Sequence, residues 1–429
     1  MGVWYWLSLV PWFFGAGHVQ EAGCKELPVE LLDPLALLQL DTAIQPSFSN
    51  NSSLSHQALS LSVKAVTNAD GGVRESFELQ SPLVRIPLLC LAFMLAHGWL
   101  FRSWKSIFLL IIPLGLMSIP AFLGVAADDK DRGFFIAKTC SVAAFMELMT
   151  ALCVACASEE DAWPFNGFVH RFCARHLKGR NWPLVVLYLG LSVNILEAVL
   201  QDLAFQHTLN AITGLCLVAS TPLPGAGIFP YPIDLIRKYD MATQSDLQGL
   251  DLSDEDLQSR ISDWYVVLMQ RRGGHSVFGD LCCRLPISWI WLYTSWNACF
   301  MFDNSILNDW TLAVLLVPLF ESQRIFCVLQ CNGIALDGWV NSHWLQARAF
   351  SLWLWFVVDG LAHKLFVHPT SIADWFQLTA EDEVTLRHYW GSLNLAWGVL
   401  HLAWFWHRAY RLSQARAEEC NEAKRPASR

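Results

Sequence analysis

The sequence predicts an all-α fold, a polytopic transmembrane helix bundle of about nine spans with its amino terminus outside and its carboxyl terminus inside. Three observations carry this expectation: the composition, the recurrence of apolar segments of membrane-spanning length, and the one-sided distribution of Lys and Arg. The chain has 429 residues, of which 54% are hydrophobic and 16% charged. Soluble domains carry roughly 25% charged residues, so most of this length lacks a water-facing surface. Its twenty-one Trp fit the same picture, because the indole is apolar yet its N–H seeks a partner at the membrane interface. A net charge of −9 argues against nucleic acid as a partner, since phosphate binding needs a basic face.

Residues 1–22 form a signal-like apolar segment lacking a basic n-region, with cleavage expected near Ala22 and a retained anchor as the alternative. Residues 23–82 form a polar lumenal or extracellular tail. Its overlapping sequons at Asn50 and Asn51 mark glycosylation sites on that side, and Cys24 has no second Cys in the tail to pair with. Apolar segments then recur at 83–101, 107–126, 133–157, 183–201 and 204–222, the first five helices of a block covering 83–222. A cytoplasmic loop follows at 223–284, and a second block at 285–407 holds segments at 285–303, 309–330, 346–366 and 388–407. His207 and Asn210 interrupt the fifth segment and Glu321 and Arg324 the seventh, so either could be re-entrant. Residues 408–429 form a cytoplasmic tail.

Basic residues test the orientation independently. The segments expected inside hold eighteen Lys and Arg, whereas the short outer loops hold only Lys130, Arg132 and Arg387. The inner loop is expected to be a solvated connector, with an amphipathic element capped at Ser253-Asp254-Glu255-Asp256 and running toward Met269 as the alternative. Cys282 and Cys283 read equally as S-acylation sites or as two buried residues. Cys153 and Cys156 have redox or zinc spacing but no second Cys pair or nearby His in sequence, so they read as small hydrophobes.

Ionisable residues inside a bilayer cost about 3 kcal/mol on insertion scales and usually face a partner or a cavity. Asn194, Glu197 and Gln201 are spaced at i, i+3 and i+7, one face of the fourth span, with Asp202 directly after them. Glu147 lies among Phe145, Met146, Leu148 and Met149 in the third span, and Asn297 in the sixth is placed to face Glu197. These residues make up the expected membrane-embedded polar cluster. Secondary candidates are Asp359 and His363 at i, i+4 in the eighth span and Glu321 and Arg324 at i, i+3 in the seventh, the latter an intrahelical ion pair. His401 in the last span is expected to be satisfied by a neighbouring backbone group. No zincin, nucleophile-elbow, phosphate-loop or dinucleotide motif is present. No metal site and no cofactor are therefore expected, and no catalytic residue is assigned.

The run Asn194-Ile-Leu-Glu197-Ala-Val with Asp202 five residues later, Trp296-Asn297, and Trp344-Leu-Gln-Ala-Arg348-Ala resemble an uncharacterised, mostly bacterial family of multi-pass membrane proteins, a domain of unknown function. The resemblance covers about 90–405. It implies a shared helical membrane fold and marks Asn194, Glu197, Asp202, Trp296, Asn297 and Arg348 as pattern positions, without an activity.

The expected function is a transporter or channel-like protein for a small solute or ion in an endomembrane or the plasma membrane, with membrane lipids as its surroundings. The alternatives are an intramembrane lipid-modifying enzyme in which Asp359 and His363, joined by His207 or His401, supply ligands or a general base, and a non-catalytic scaffold or sensor. The enzyme reading is the weaker one, and substrate and oligomeric state are not specified.

Overall fold

In a computed structural model, the structure describes residues 61–67, 73–79, 82–100, 113, 115–116, 129–156, 167–178, 180–222, 265–272, 275–283, 285–331, 340–341, 343–362 and 371–423. Side chains at some helix ends, such as 129–139 and 359–362, lie outside that description. The signal-like segment, the sequons at Asn50 and Asn51, most of the second expected span and His363 also lie outside the described residues.

In chain order the elements are β1 (Leu61–Thr67), β2 (Val73–Leu79), α1 (Pro82–Leu100), α2 (Asp129–Cys156), α3 (Gly167–Leu177), α4 (Trp182–Ala204), α5 (Thr208–Ala219), β3 (Tyr265–Arg272), β4 (His275–Cys283), β5 (Leu285–Pro286), α6 (Ile287–Asp303), α7 (Asp309–Cys331), β6 (Val340–Asn341), α8 (Trp344–Ala362), α9 (Ile372–Trp375) and α10 (Ala380–Ala423). Among the described residues helices dominate, and the sheets are three antiparallel pairs, β1–β2, β3–β4 and β5–β6. Apart from Cys331, these elements fall in one compact unit.

The helices begin and end where local chemistry dictates. At α7, Asn308 accepts from the N–H of Thr311 (3.0 Å) while Thr311 Oγ1 accepts from the N–H of Asn308 (2.9 Å), a reciprocal cap that satisfies otherwise orphaned donors. At α10, Thr379 and Asp382 do the same, with Thr379 Oγ1 donating to Asp382 at 2.7 Å. Helices α4, α6 and α9 end through Gln206, Ser305 and Gln377, all at positive φ. In each, the next N–H reaches back five residues: His207 to Asp202, Ile306 to Met301 and Leu378 to Ala373. That is the Schellman closure, here built without glycine.

Packing is close where glycine permits it. A Cβ at Gly190 in α4 would overlap the Phe145 ring of α2, and one at Gly214 in α5 would overlap Val199 of α4. Helix α6 is the hub. Its Trp289 and Trp296 donate indole N–H groups to the Leu217 and Asn210 carbonyls of α5 at 3.0 and 2.9 Å. Ser295 and Ser288 bond Asn394 (2.6 Å) and His401 (2.9 Å) of α10, so the partner of His401 is a side-chain hydroxyl rather than the expected backbone group. Trp289, Tyr293 and Trp344 form an aromatic knot with centroids 4.9 to 5.7 Å apart.

Two expectations need correction. Strands β3 and β4 pair antiparallel, so the end of the inner loop is neither the solvated connector expected nor the amphipathic alternative, and Met269 lies in β3; β-branched and aromatic residues at 265–267 suit a strand. Leu281, Cys282 and Cys283 in β4 are fully buried, and Gln346 of α8 accepts from the Leu281 N–H. Such burial leaves the pair of cysteines closed to an acyl donor.

The nine-span count is the other correction. Among the described residues one helix, α4, is long and apolar enough to cross a membrane by length and composition. Helix α5 has 12 residues, about 18 Å at 1.5 Å per residue, short of a hydrocarbon core of about 30 Å. Helix α6 has 17 residues. Helices α7 and α8 dilute their apolar character with Glu321, Ser322, Arg324, Gln346 and Arg348, and α2 carries Glu147 on its exposed face.

Candidate functional site

Helices α2, α4, α6, α7 and α8 line a partly open cavity of about 870 Å³. Its walls are largely apolar and aromatic, with Phe145, Trp296, Phe300, Leu352, Trp355 and Phe356 among them, and its polar groups converge from separate helices. Asn194, Glu197 and Gln201 enter from α4, Asn297 from α6 and Arg348 from α8. An apolar chamber with a few convergent polar groups is the general form of a small-molecule site. Gln201 sits at the exposed rim, donating to Asn304 Oδ1 at 2.7 Å.

Arg348 is the most informative of these groups. It is buried, 4% exposed. One guanidinium nitrogen, Nη1, donates to the Val314 carbonyl at 3.2 Å, and the guanidinium carbon lies 5.8 Å from the centroid of Tyr293. Its Nε is buried without a hydrogen-bond partner, and among the described residues no carboxylate reaches it. The sequence explains its anchoring. Pro318 lies inside α7 and has no N–H, so the Val314 carbonyl four residues earlier loses its helical donor. Arg348 and Ser351 fill that vacancy, the hydroxyl at 3.0 Å. Within α6, Asn297 donates to Tyr293 Oη at 3.2 Å, and the Arg348 guanidinium of α8 lies beside the same Tyr293 ring.

The expected polar cluster is thus partly assembled. Asn194, Glu197 and Asn297 line one cavity, whereas Glu147 is exposed on the opposite face of α2. Asp202 is buried away from the chamber in a second cluster. There Asn210 donates to its Oδ2 at 2.8 Å, and His207 Nδ1 lies 3.8 Å from Asp202 and 3.3 Å from Asp303. Arg387 at the start of α10 pairs with Asp303 at 2.7 Å and lies 3.3 Å from His207 Nε2. This clasp ties the ends of α4, α5, α6 and α10 together. The sequence does not mark Asp303, His207 and Arg387 as one group, because their separations of 96 and 180 residues carry no periodic signal.

Glu321 and Arg324 make the ion pair their spacing predicts, at 2.7 Å. They are joined by two unforeseen partners, His97 of α1 and His343 just before α8. Asp359 lies in α8 with its side chain outside the described residues. Of the pattern positions, Asn194, Glu197, Trp296, Asn297 and Arg348 all line the cavity.

Searches of protein-family models, of curated proteins and of solved structures find no match for this chain.

Proposed function

We propose that this chain is a multi-pass membrane protein that carries a small amphipathic anion through its central cavity, with Arg348 holding the anionic group. The observation that carries the proposal is a buried guanidinium in a chamber of about 870 Å³ with no carboxylate beside it among the described residues. Burying a charge unpaired costs several kcal/mol, so a fold that keeps one at a cavity wall has a use for it. Arginine suits carboxylate and phosphate because its planar fork matches their oxygens. The aromatic and aliphatic walls fit the apolar body of such a solute. Glu197 in the same cavity repels an anion unless a proton or cation accompanies it, which supports coupled entry.

The membrane assignment is supported by the inverted distribution of polarity. Val186, Leu189, Val193, Leu196, Leu200 and Leu203 of α4 are exposed in a stripe spaced by three and four residues, with Val193 also bordering the cavity. Leu88, Leu91 and Leu95 of α1 and Tyr389, Leu393, Trp397 and Leu400 of α10 extend the pattern. Meanwhile Asp202, Asn210, Asn297, Glu321, Arg348 and Asn394 are turned inward. Exposed apolar area on this scale marks contact with lipid or another protein, and lipid fits a pattern repeated on three helices.

The test uses purified full-length protein in detergent. Decanoate and decyl phosphate should raise its unfolding temperature while decanol at equal concentration does not. In reconstituted vesicles the responsive anion should be taken up in a pH-dependent manner, and Glu197→Gln should abolish that dependence. Equal stabilisation by decanol, or uptake indifferent to Glu197→Gln, overturns the proposal.

A further inference from the structure

His97, Glu321 and His343 come together from three different parts of the chain, α1, α7 and the residue preceding α8. All three are at most 2% exposed. His97 Nδ1 lies 3.3 Å from Glu321 Oε2 and His343 Nε2 lies 4.0 Å from the same oxygen. One ligand atom from each falls within 4.8 Å of the other two. The imidazole centroids are 5.3 Å apart.

We infer that His97, Glu321 and His343 form a binding site for one transition-metal ion of the zinc class, independent of the central cavity. Two imidazoles and a carboxylate are a donor set that such ions favour over calcium or magnesium, which prefer oxygen alone. With metal–nitrogen bonds of about 2.0–2.1 Å, a tetrahedral site sets neighbouring donors about 3.4 Å apart. The 3.3 Å pair already meets that spacing, and the 4.0 Å pair needs only a small contraction. Arg324 supports the carboxylate from outside, its Nη2 and Nε donating to Glu321 Oε2 at 2.7 and 3.1 Å. Both of these bonds fall on Oε2, so Oε1 keeps its lone pairs for an ion, and a turn of the carboxylate brings it between the imidazoles. Such outer hydrogen bonding orients metal-bound carboxylates elsewhere. The three groups fasten α1, α7 and α8, so a bound ion would cross-link the two sequence blocks.

The Asp202–His207–Asp303 group also offers three donors within reach of one another, but there Arg387 reaches the imidazole as well as a carboxylate, at 3.3 Å from His207 Nε2 and 2.7 Å from Asp303, and Asn210 occupies Asp202 at 2.8 Å. It therefore serves as the internal control. Full-length protein in detergent, stripped with a chelator and dialysed, should take up one equivalent of Zn²⁺ and unfold at a higher temperature with it. Cobalt substitution should give the visible absorption of a four-coordinate ion. His97→Ala and His343→Ala should each weaken Zn²⁺ binding at least 10-fold, while His207→Ala leaves it unchanged. Failure of the wild type to bind a stoichiometric ion overturns the inference, as does binding lost in His207→Ala but kept in His343→Ala. Should an alanine variant fail to fold, the conservative His343→Gln is read in its place, and undiminished Zn²⁺ binding by it counts against the site.

Discussion

Replacing Arg348 by Met separates a ligand-holding arginine from a structural one. In the unliganded protein the change removes a buried charge and one hydrogen bond, the 3.2 Å contact to the Val314 carbonyl. A hydrogen bond to a charged group contributes about 1.5–3 kcal/mol. The carbonyl is not orphaned by the loss, because Ser351 Oγ still donates to it at 3.0 Å. Against that loss stands relief of the desolvation of an unpaired guanidinium; replacing buried ions by apolar residues of like volume is often neutral or stabilising by about 1–4 kcal/mol. The unliganded variant should therefore unfold at the same temperature as the wild type or a few degrees higher. Binding should move the other way. Truncating one partner of a buried charge pair costs about 2–5 kcal/mol, a loss of roughly 30-fold to over 1,000-fold in affinity for the anion. Thermal unfolding in detergent with and without decanoate or decyl phosphate reads both quantities. A fall of several degrees without ligand, together with undiminished stabilisation by the anion, would refute the reasoning and make Arg348 a clamp between α7 and α8.

Three further predictions concern the frame around the cavity. Arg387→Ala leaves Asp303, whose side chain is 1% exposed, without its cation; breaking such a pair costs about 3–5 kcal/mol, visible as a lower unfolding temperature that Asp303→Asn in the same chain should partly restore. Gly190→Ala drives a methyl group into the Phe145 ring at a cost of about 1–3 kcal/mol, and Phe145→Leu in the same chain should recover much of it; no recovery would mean the backbones and not the ring set the spacing. Asp382 is held below its ordinary value of 3.8 by hydrogen bonds from the Thr379 hydroxyl and N–H. A lowered folded-state value means that its contribution is complete above the unfolded value and disappears as pH falls through the folded one. Amide exchange in the first turn of α10 should thus accelerate only below about pH 3.8, and Thr379→Ala should remove that step.

What could be read in the letters was whatever depends on spacing along a single helix. Asn194, Glu197 and Gln201 repeat at three and four residues, and all three reach one cavity. Glu321 and Arg324 pair for the same reason. The expected spans at 183–201, 309–330 and 388–407 lie within helices, and those at 83–101, 133–157, 285–303 and 346–366 overlap helices over most of their length, because long apolar runs are a length signal. Glu147 shows where this logic stops. Its apolar neighbours at 145, 146, 148 and 149 are 100° apart on the helix and so surround it on every side. They say nothing about direction, and the inward face of α2 is instead set by Val142, Met146, Met149 and Cys153.

The rest required information that no single helix contains. His97, Glu321 and His343 are separated by 224 and 22 residues, and only the packing of α1 against α8 and its neighbours brings the two imidazoles to one carboxylate. Arg348 was legible as a pattern position but not as a buried guanidinium at a cavity wall, since its setting, with no carboxylate beside it among the described residues, exists only in three dimensions. One letter did point toward it. Pro318 in the middle of an apolar run breaks the backbone ladder at Val314, and a carbonyl stripped of its donor in a dry interior must recruit another. A proline at mid-helix thus predicts a donor on the adjoining helix, and Arg348 and Ser351, one turn apart, are that donor pair. If Pro318→Ala restored the ladder, the Val314 carbonyl would no longer need the guanidinium. Arg348 would then turn more freely into the chamber, so the cavity chemistry proposed above rests in part on the residue that defines a break in α7.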